Sequence, residues 1–337
     1  MERINTSKNI TWINLLKALC MAFVYLDHSE VYYGINSISY GPIFKPFYVN
    51  AFFFVSGYLF FRKQLQTVGN YGIIDLWKNL KTIIFRLVIP TIVFASIIYI
   101  PKLFFHNKII SIYQYFYDVF GGISFWFTST IIVAQIILII LLLSRKNNIW
   151  FYFAISCILF ILSIYINTIF PSPFPWFYKS GLCATFFLAI GGIYSQYEKA
   201  INNYFNSLKS SLLIILYIIC TIYNLNHNEF HYVTMTNNFN LIGILISILG
   251  IAFITIICKQ LPQFKILEYI GKNSIVFYFF SGALPASIGL IFQKIFPEKT
   301  YIITLTVALL SIFTGYLLTY VVVKYLPWLT DFRKLKK

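Results

Sequence analysis

Long apolar runs recur along the whole chain, each closed by a few basic or turn-forming residues. TIVFASIIYI and IIVAQIILIILLL are typical, and neither alternates polar with apolar positions. Strands of a membrane barrel would alternate with a period of two. An unbroken apolar run of about 20 residues is instead what a helix needs to cross the hydrocarbon core. The pattern predicts ten spanning helices, over 12–32, 45–61, 79–100, 123–143, 150–168, 180–197, 210–226, 239–258, 271–292 and 300–325. Connections are short, so the expectation is an all-α polytopic membrane bundle with residues 1–337 as a single transmembrane domain. No internal repeat stands out, which disfavours the inverted-repeat transporter folds.

Composition agrees. The chain is 59% hydrophobic and only 11% charged, against about 25% charged in a soluble domain. The net charge of +16 forms no compact patch, so nucleic acid is not an expected partner and membrane lipid is. Lysine and arginine fall in the loops. If the N-terminus is inside, nineteen lie on the inner side and six on the outer, the remaining one being Lys17. This asymmetry predicts both termini on the cytoplasmic face. The five cysteines stand singly in apolar runs and read as small buried hydrophobes. The first apolar segment lacks a small-residue cleavage site, so no cleavable signal peptide is expected.

Against this background, LLKALCMAFVYLDHSE (residues 15–30) is anomalous, because it places a Lys, an Asp, a His and a Glu within one apolar segment. A Lys or Asp near the centre of a spanning helix costs roughly 2.5–3.5 kcal/mol, and such residues mark sites. Lys17 and His28 are eleven residues apart, within about 20° of three full helical turns, so they share a face about 16.5 Å apart along the axis. Asn14 lies near that face, and Tyr25 and Tyr32 flank His28. Asp27 points about 100° away and is placed to orient a neighbour. A neutral imidazole is well matched to taking a proton from a hydroxyl near pH 7. Further along, Ser56 and Gly57 permit close helix approach, with Arg62 and Lys63 after them. Arg86 and Pro90 open the third span. Together these cations, with Lys78 and Lys81, make a basic collar suited to a nucleotide phosphate or to anionic lipid headgroups. Trp126 reads as an interfacial anchor. HNEFH (227–231) is a weak metal pair without a third ligand nearby, and no metal site is expected. No GxSxG elbow, Walker A loop or GxGxxG fingerprint occurs.

Lys17 and His28, separated by ten residues, resemble the first-span signature of the integral-membrane acyltransferase-3 family. FFFVSGYLFFRK resembles the family's second-span segment, FRLVIP its Arg-to-Pro element and FWFTSTIIVAQ its tryptophan segment. GKNSIVFYFFSG, with Ser274 and Tyr278, resembles its late segment. Two departures stand out. Lys17 occupies a position where Arg is commoner, which removes a bidentate clamp. Ser281 stands where many members carry a histidine, leaving His28 as the imidazole base within a span.

The resemblance implies transfer of an acyl group, usually acetyl, from cytoplasmic acyl-CoA to a hydroxyl of a cell-surface carbohydrate or its lipid-linked precursor. Acetyl-CoA would be a co-substrate, with no permanently bound cofactor. His28 would act as general base, assisted by Lys17 and Asp27, and Arg62, Arg86 and Lys63 would hold the donor phosphates. Asn14, Tyr25, Ser56, Gly57, Trp126, Ser274 and Tyr278 would shape the substrate path. The implied home is a bacterial cytoplasmic membrane. An exporter of a polysaccharide or lipid-linked sugar is the alternative, because intramembrane charges also line transport paths.

Overall fold

The computed structural model describes residues 11–34, 39–64, 71–105, 111–170, 174–204, 207–227 and 241–336, and among these there is no strand. The helices are α1 (Thr11–Tyr33), α2 (Gly41–Phe44), α3 (Tyr48–Gln64), α4 (Ile73–Ile83), α5 (Ile89–Phe105), α6 (Ile112–Phe120), α7 (Trp126–Leu141) and α8 (Ile149–Ile169). They continue as α9 (Tyr178–Tyr204), α10 (Ser207–His227), α11 (Leu241–Gln260), α12 (Lys265–Lys272), α13 (Ser274–Phe280), α14 (Ala283–Ile295) and α15 (Tyr301–Tyr325). Two 3-10 turns, Pro327–Leu329 and Phe332–Lys336, follow α15. Among the described residues, seven helical segments are long and apolar enough to cross a membrane, including Ile73–Tyr99, Ser274–Ile295 and Tyr301–Tyr325. Helix α1 is not among the seven: the four charged and imidazole groups within it dilute its hydropathy. Large side chains such as Ile158, Ile161, Leu309 and Phe313 face outward, as expected where the solvent is lipid.

Between helices in lipid there is little hydrophobic driving force, so association depends on close packing through small residues. The α3–α9 contact shows this. A methyl group at Gly57 would lie 1.9 Å from the Leu188 carbonyl oxygen, and one at Gly191 would lie 1.9 Å from that of Phe54. The two backbones touch reciprocally at their glycines. Helix α1 makes a similar contact with α12, where a methyl at Gly271 would meet the Asn14 carbonyl oxygen at 1.9 Å. It also packs against α3, α11, α13, α14 and α15, which makes it a central element of the bundle.

Two predicted spans are irregular. Between α4 and α5 the chain widens into a π-helical turn, Ile84–Val88, in which the Ile89 N–H donates to the Ile84 carbonyl. Pro90 explains it: without an N–H it cannot bond the carbonyl four residues back, that of Arg86, and a wider turn absorbs the defect. The span predicted over 271–292 is interrupted at Ser281–Gly282, where the Ser281 hydroxyl donates to the Tyr278 carbonyl at 2.8 Å. The short α6 lies outside all ten predicted spans, and its exposed Ile112, Tyr113, Phe116 and Phe120 give it the amphipathic face of an interfacial helix.

Candidate active site

The four charged and imidazole groups of α1 have different fates. Glu30 is fully engaged: its carboxylate accepts from the Ser39 hydroxyl at 2.6 Å, the Tyr40 N–H at 3.1 Å and the Tyr301 hydroxyl at 3.0 Å. Asp27 is buried, pairs with Lys45 at 2.8 Å and accepts from the Tyr48 hydroxyl at 3.1 Å. These two carboxylates fasten α1 to the segments around α2, α3 and α15.

Lys17 and His28 differ. Both are half-buried, and among the described residues neither makes a hydrogen bond or an ion pair. The His28 ring stacks loosely on Tyr32, with centroids 6.4 Å apart, and both imidazole nitrogens are left available. Helix α1 is continuous from Thr11 to Tyr33, so the two side chains stay on one face, about 16.5 Å apart along the axis. Near one end, Arg86 lies within electrostatic reach of Lys17; near the other, Asp27 and Lys45 lie within reach of His28. A half-buried polar group without a partner costs free energy unless a substrate supplies one.

The remaining sequence-derived candidates separate into groups. Tyr25 is fully buried and donates its hydroxyl to the Phe277 carbonyl at 2.9 Å, so it ties α1 to α13. Asp27 sends its bonds to Lys45 and Tyr48, and neither it nor Tyr25 bonds His28. Tyr278 is buried near Tyr48 and packs its ring on Phe127, 5.1 Å away, next to the half-buried Trp126 at the start of α7. Ser274 is buried at the first position of α13. Thus the late segment and the tryptophan segment converge on the Asp27–Tyr48 cluster. Asn14 and Gly57 sit at the helix contacts described above, with Ser56 beside Gly57.

The basic collar does not gather as one cluster. Arg62 donates to the Tyr58 hydroxyl at 2.6 Å, Tyr58 donates to Glu198 at 2.5 Å, and Glu198 pairs with Lys259 at 2.8 Å. Lys259 in turn lies over the rings of Trp12 and Tyr194. Lys63 is exposed. Arg86 belongs elsewhere, 3.7 Å from Asp331. Periodicity could not find Lys45, Tyr48, Glu198 or Asp331, because each reaches its partner from a different element. The HNEFH motif falls largely outside the described residues; His227 ends α10 and its side chain is not described.

A family model described as an acyltransferase domain matches residues 10–326, nearly the whole chain. The chain belongs to the acyltransferase-3 family. It is therefore a membrane acyltransferase, and the helices that carry Lys17, His28, Arg86 and Tyr278 all lie within the matched stretch. Comparison with curated proteins and with solved structures gives no match.

Proposed function

We propose that this acyltransferase moves an acetyl or other short acyl group from cytoplasmic acyl-CoA to a hydroxyl of a cell-surface carbohydrate or its lipid-linked precursor. The reading includes ten membrane crossings, both termini in the cytoplasm and a home in a bacterial cytoplasmic membrane. The observation that carries it is the pair on one face of α1: Lys17 and His28 have no hydrogen-bond or ion-pair partner among the described residues, whereas Asp27 and Glu30 are both engaged.

In this reading Lys17 and Arg86 attract the donor's phosphates and the pantetheine arm runs inward along the α1 face toward His28. The imidazole Nε2 or Nδ1 takes the proton of the acceptor hydroxyl as its oxygen attacks the thioester carbonyl. The C–S bond then breaks, and the departing thiolate takes up the proton that His28 holds. Asp27, adjacent in sequence, would assist the imidazole. Most of the rate would come from holding hydroxyl and thioester together away from water. Arg62 and Lys63 would attract the nucleotide electrostatically.

The test is label transfer by purified protein in detergent, with radiolabelled acetyl-CoA and a panel of amino- and neutral-sugar oligosaccharides. Wild type is expected to release thiol and label a sugar, and His28→Ala to do neither. Equal transfer by His28→Ala would remove the imidazole from the mechanism, and failure of wild type to bind acetyl-CoA by calorimetry would remove the donor.

A further inference from the structure

Beyond α15 the chain folds back onto the π-helical turn that carries Arg86. Leu329 is buried, and Trp328 packs edge-on against Phe332 at 5.3 Å. Asp331 is buried beneath them and receives both Nε and Nη2 of Arg333, at 2.8 and 2.6 Å. The same carboxylate lies 3.7 Å from Nε of Arg86. Arg333 also reaches Thr82 at 3.4 Å, and Thr82 lies one helical turn before Arg86.

One carboxylate therefore holds two guanidinium groups side by side. Its nearest approach to Arg86 is at Nε, 3.7 Å away, and among the described residues the Arg86 guanidinium makes no hydrogen bond. Both arginines remain accessible, with side chains 59% and 47% exposed. Two guanidiniums, with Lys334 nearby and Lys17 deeper in, against a single aspartate leave an excess of positive charge. The terminal amino groups of Arg86, and the second hydrogens on the Arg333 Nη atoms that Asp331 and Thr82 leave unused, suit a phosphate. Asp331 and Arg333 lie beyond the stretch matched by the family model, so nothing in that match assigns them a role.

We propose that Arg86 and Arg333, held together by Asp331, form a seat for the terminal 3′-phosphomonoester of the acyl-CoA donor, which makes the C-terminal turns part of the donor site. The proposal rests on the acyl-CoA reading given above. The acyl arm must run inward past Lys17, so the nucleotide end stays at the surface, where Arg333 stands. Asp331 is a positioning residue in this arrangement.

Binding of CoA and 3′-dephospho-CoA to the full-length protein in nanodiscs of neutral lipid tests it. Wild type is expected to prefer CoA by about tenfold, the worth of one charge-assisted contact. Arg333→Ala should lose that preference while its affinity for dephospho-CoA is unchanged, and Arg333→Lys should restore part of it. Asp331→Ala removes a charge that repels phosphate. It should nevertheless weaken CoA binding if the carboxylate holds the arginines in place, and tighter binding would refute the positioning role. Equal affinity of wild type for the two ligands would overturn the seat and leave the donor reading standing. Binding of neither would overturn the donor reading itself. An effect of Arg333→Ala confined to nanodiscs containing phosphatidylglycerol would assign the arginines to a lipid headgroup and overturn the proposal.

Discussion

Asp27 and His28 are neighbours in sequence, yet their replacement should have opposite consequences. Removing the Asp27 carboxylate leaves Lys45 without its partner and the buried Tyr48 hydroxyl without an acceptor. Breaking a buried ion pair by deleting one member costs about 3–5 kcal/mol. Lys45 keeps 27% of its side-chain surface exposed, which places Asp27→Ala near the lower end, about 3 kcal/mol. His28→Ala breaks no hydrogen bond among the described residues and forfeits only the loose stacking on Tyr32 and partial burial, about 1 kcal/mol. Thermal unfolding in detergent, paired with acyl transfer from radiolabelled acetyl-CoA, separates the two. Asp27→Ala is expected to lower the midpoint clearly, with residual activity in the folded fraction. His28→Ala should unfold close to wild type and transfer nothing. If His28→Ala destabilises as much as Asp27→Ala, the imidazole is a structural group and the separation of roles along α1 is wrong.

Lys17→Met replaces a half-buried cation that has no hydrogen-bond or ion-pair partner among the described residues with a side chain of similar length. It should raise the unfolding midpoint while raising the KM for the acyl donor, a trade-off expected of a site residue and checked by paired melting and kinetics. Gly57→Ala brings a methyl group 1.9 Å from the Leu188 carbonyl oxygen and must part α3 from α9. A loss of about 1–3 kcal/mol should appear as a lower folded yield in size-exclusion chromatography after heating. The hydrogen bonds from Arg333, aided by the nearby Arg86, hold the Asp331 carboxyl below its ordinary range. Because the folded value is the lower one, docking of the C-terminal turns is fully stabilised above the ordinary aspartate value of about 3.9. It is lost as the pH falls through the depressed value. Trp328 fluorescence should report release in that acid window, and Asp331→Asn should abolish the pH response.

The class of the molecule was legible in the chain, and so was the face of α1 on which the proposed chemistry rests. Apolar runs of spanning length specify helices, because lipid offers no partner for an unpaired backbone group. The cost of placing Lys17 and His28 among them singles the pair out as a candidate before any fold is known, and the 3.6-residue period puts the two on one side of α1. These properties are local: they depend on one segment and its solvent. The assignment of Asp27 to Lys45 and Tyr48, of Tyr25 to the Phe277 carbonyl, and of Arg62 to the Tyr58–Glu198–Lys259 chain was decided by tertiary structure. So was the division of the basic collar, with Arg86 drawn toward Asp331 some 245 positions later in the chain. A side chain's periodicity states which way it points, but its partner depends on which other helix packs there. In lipid that choice is made by glycine-to-backbone contacts such as Gly57 on Leu188, whose pairing emerges only once the helices are assembled.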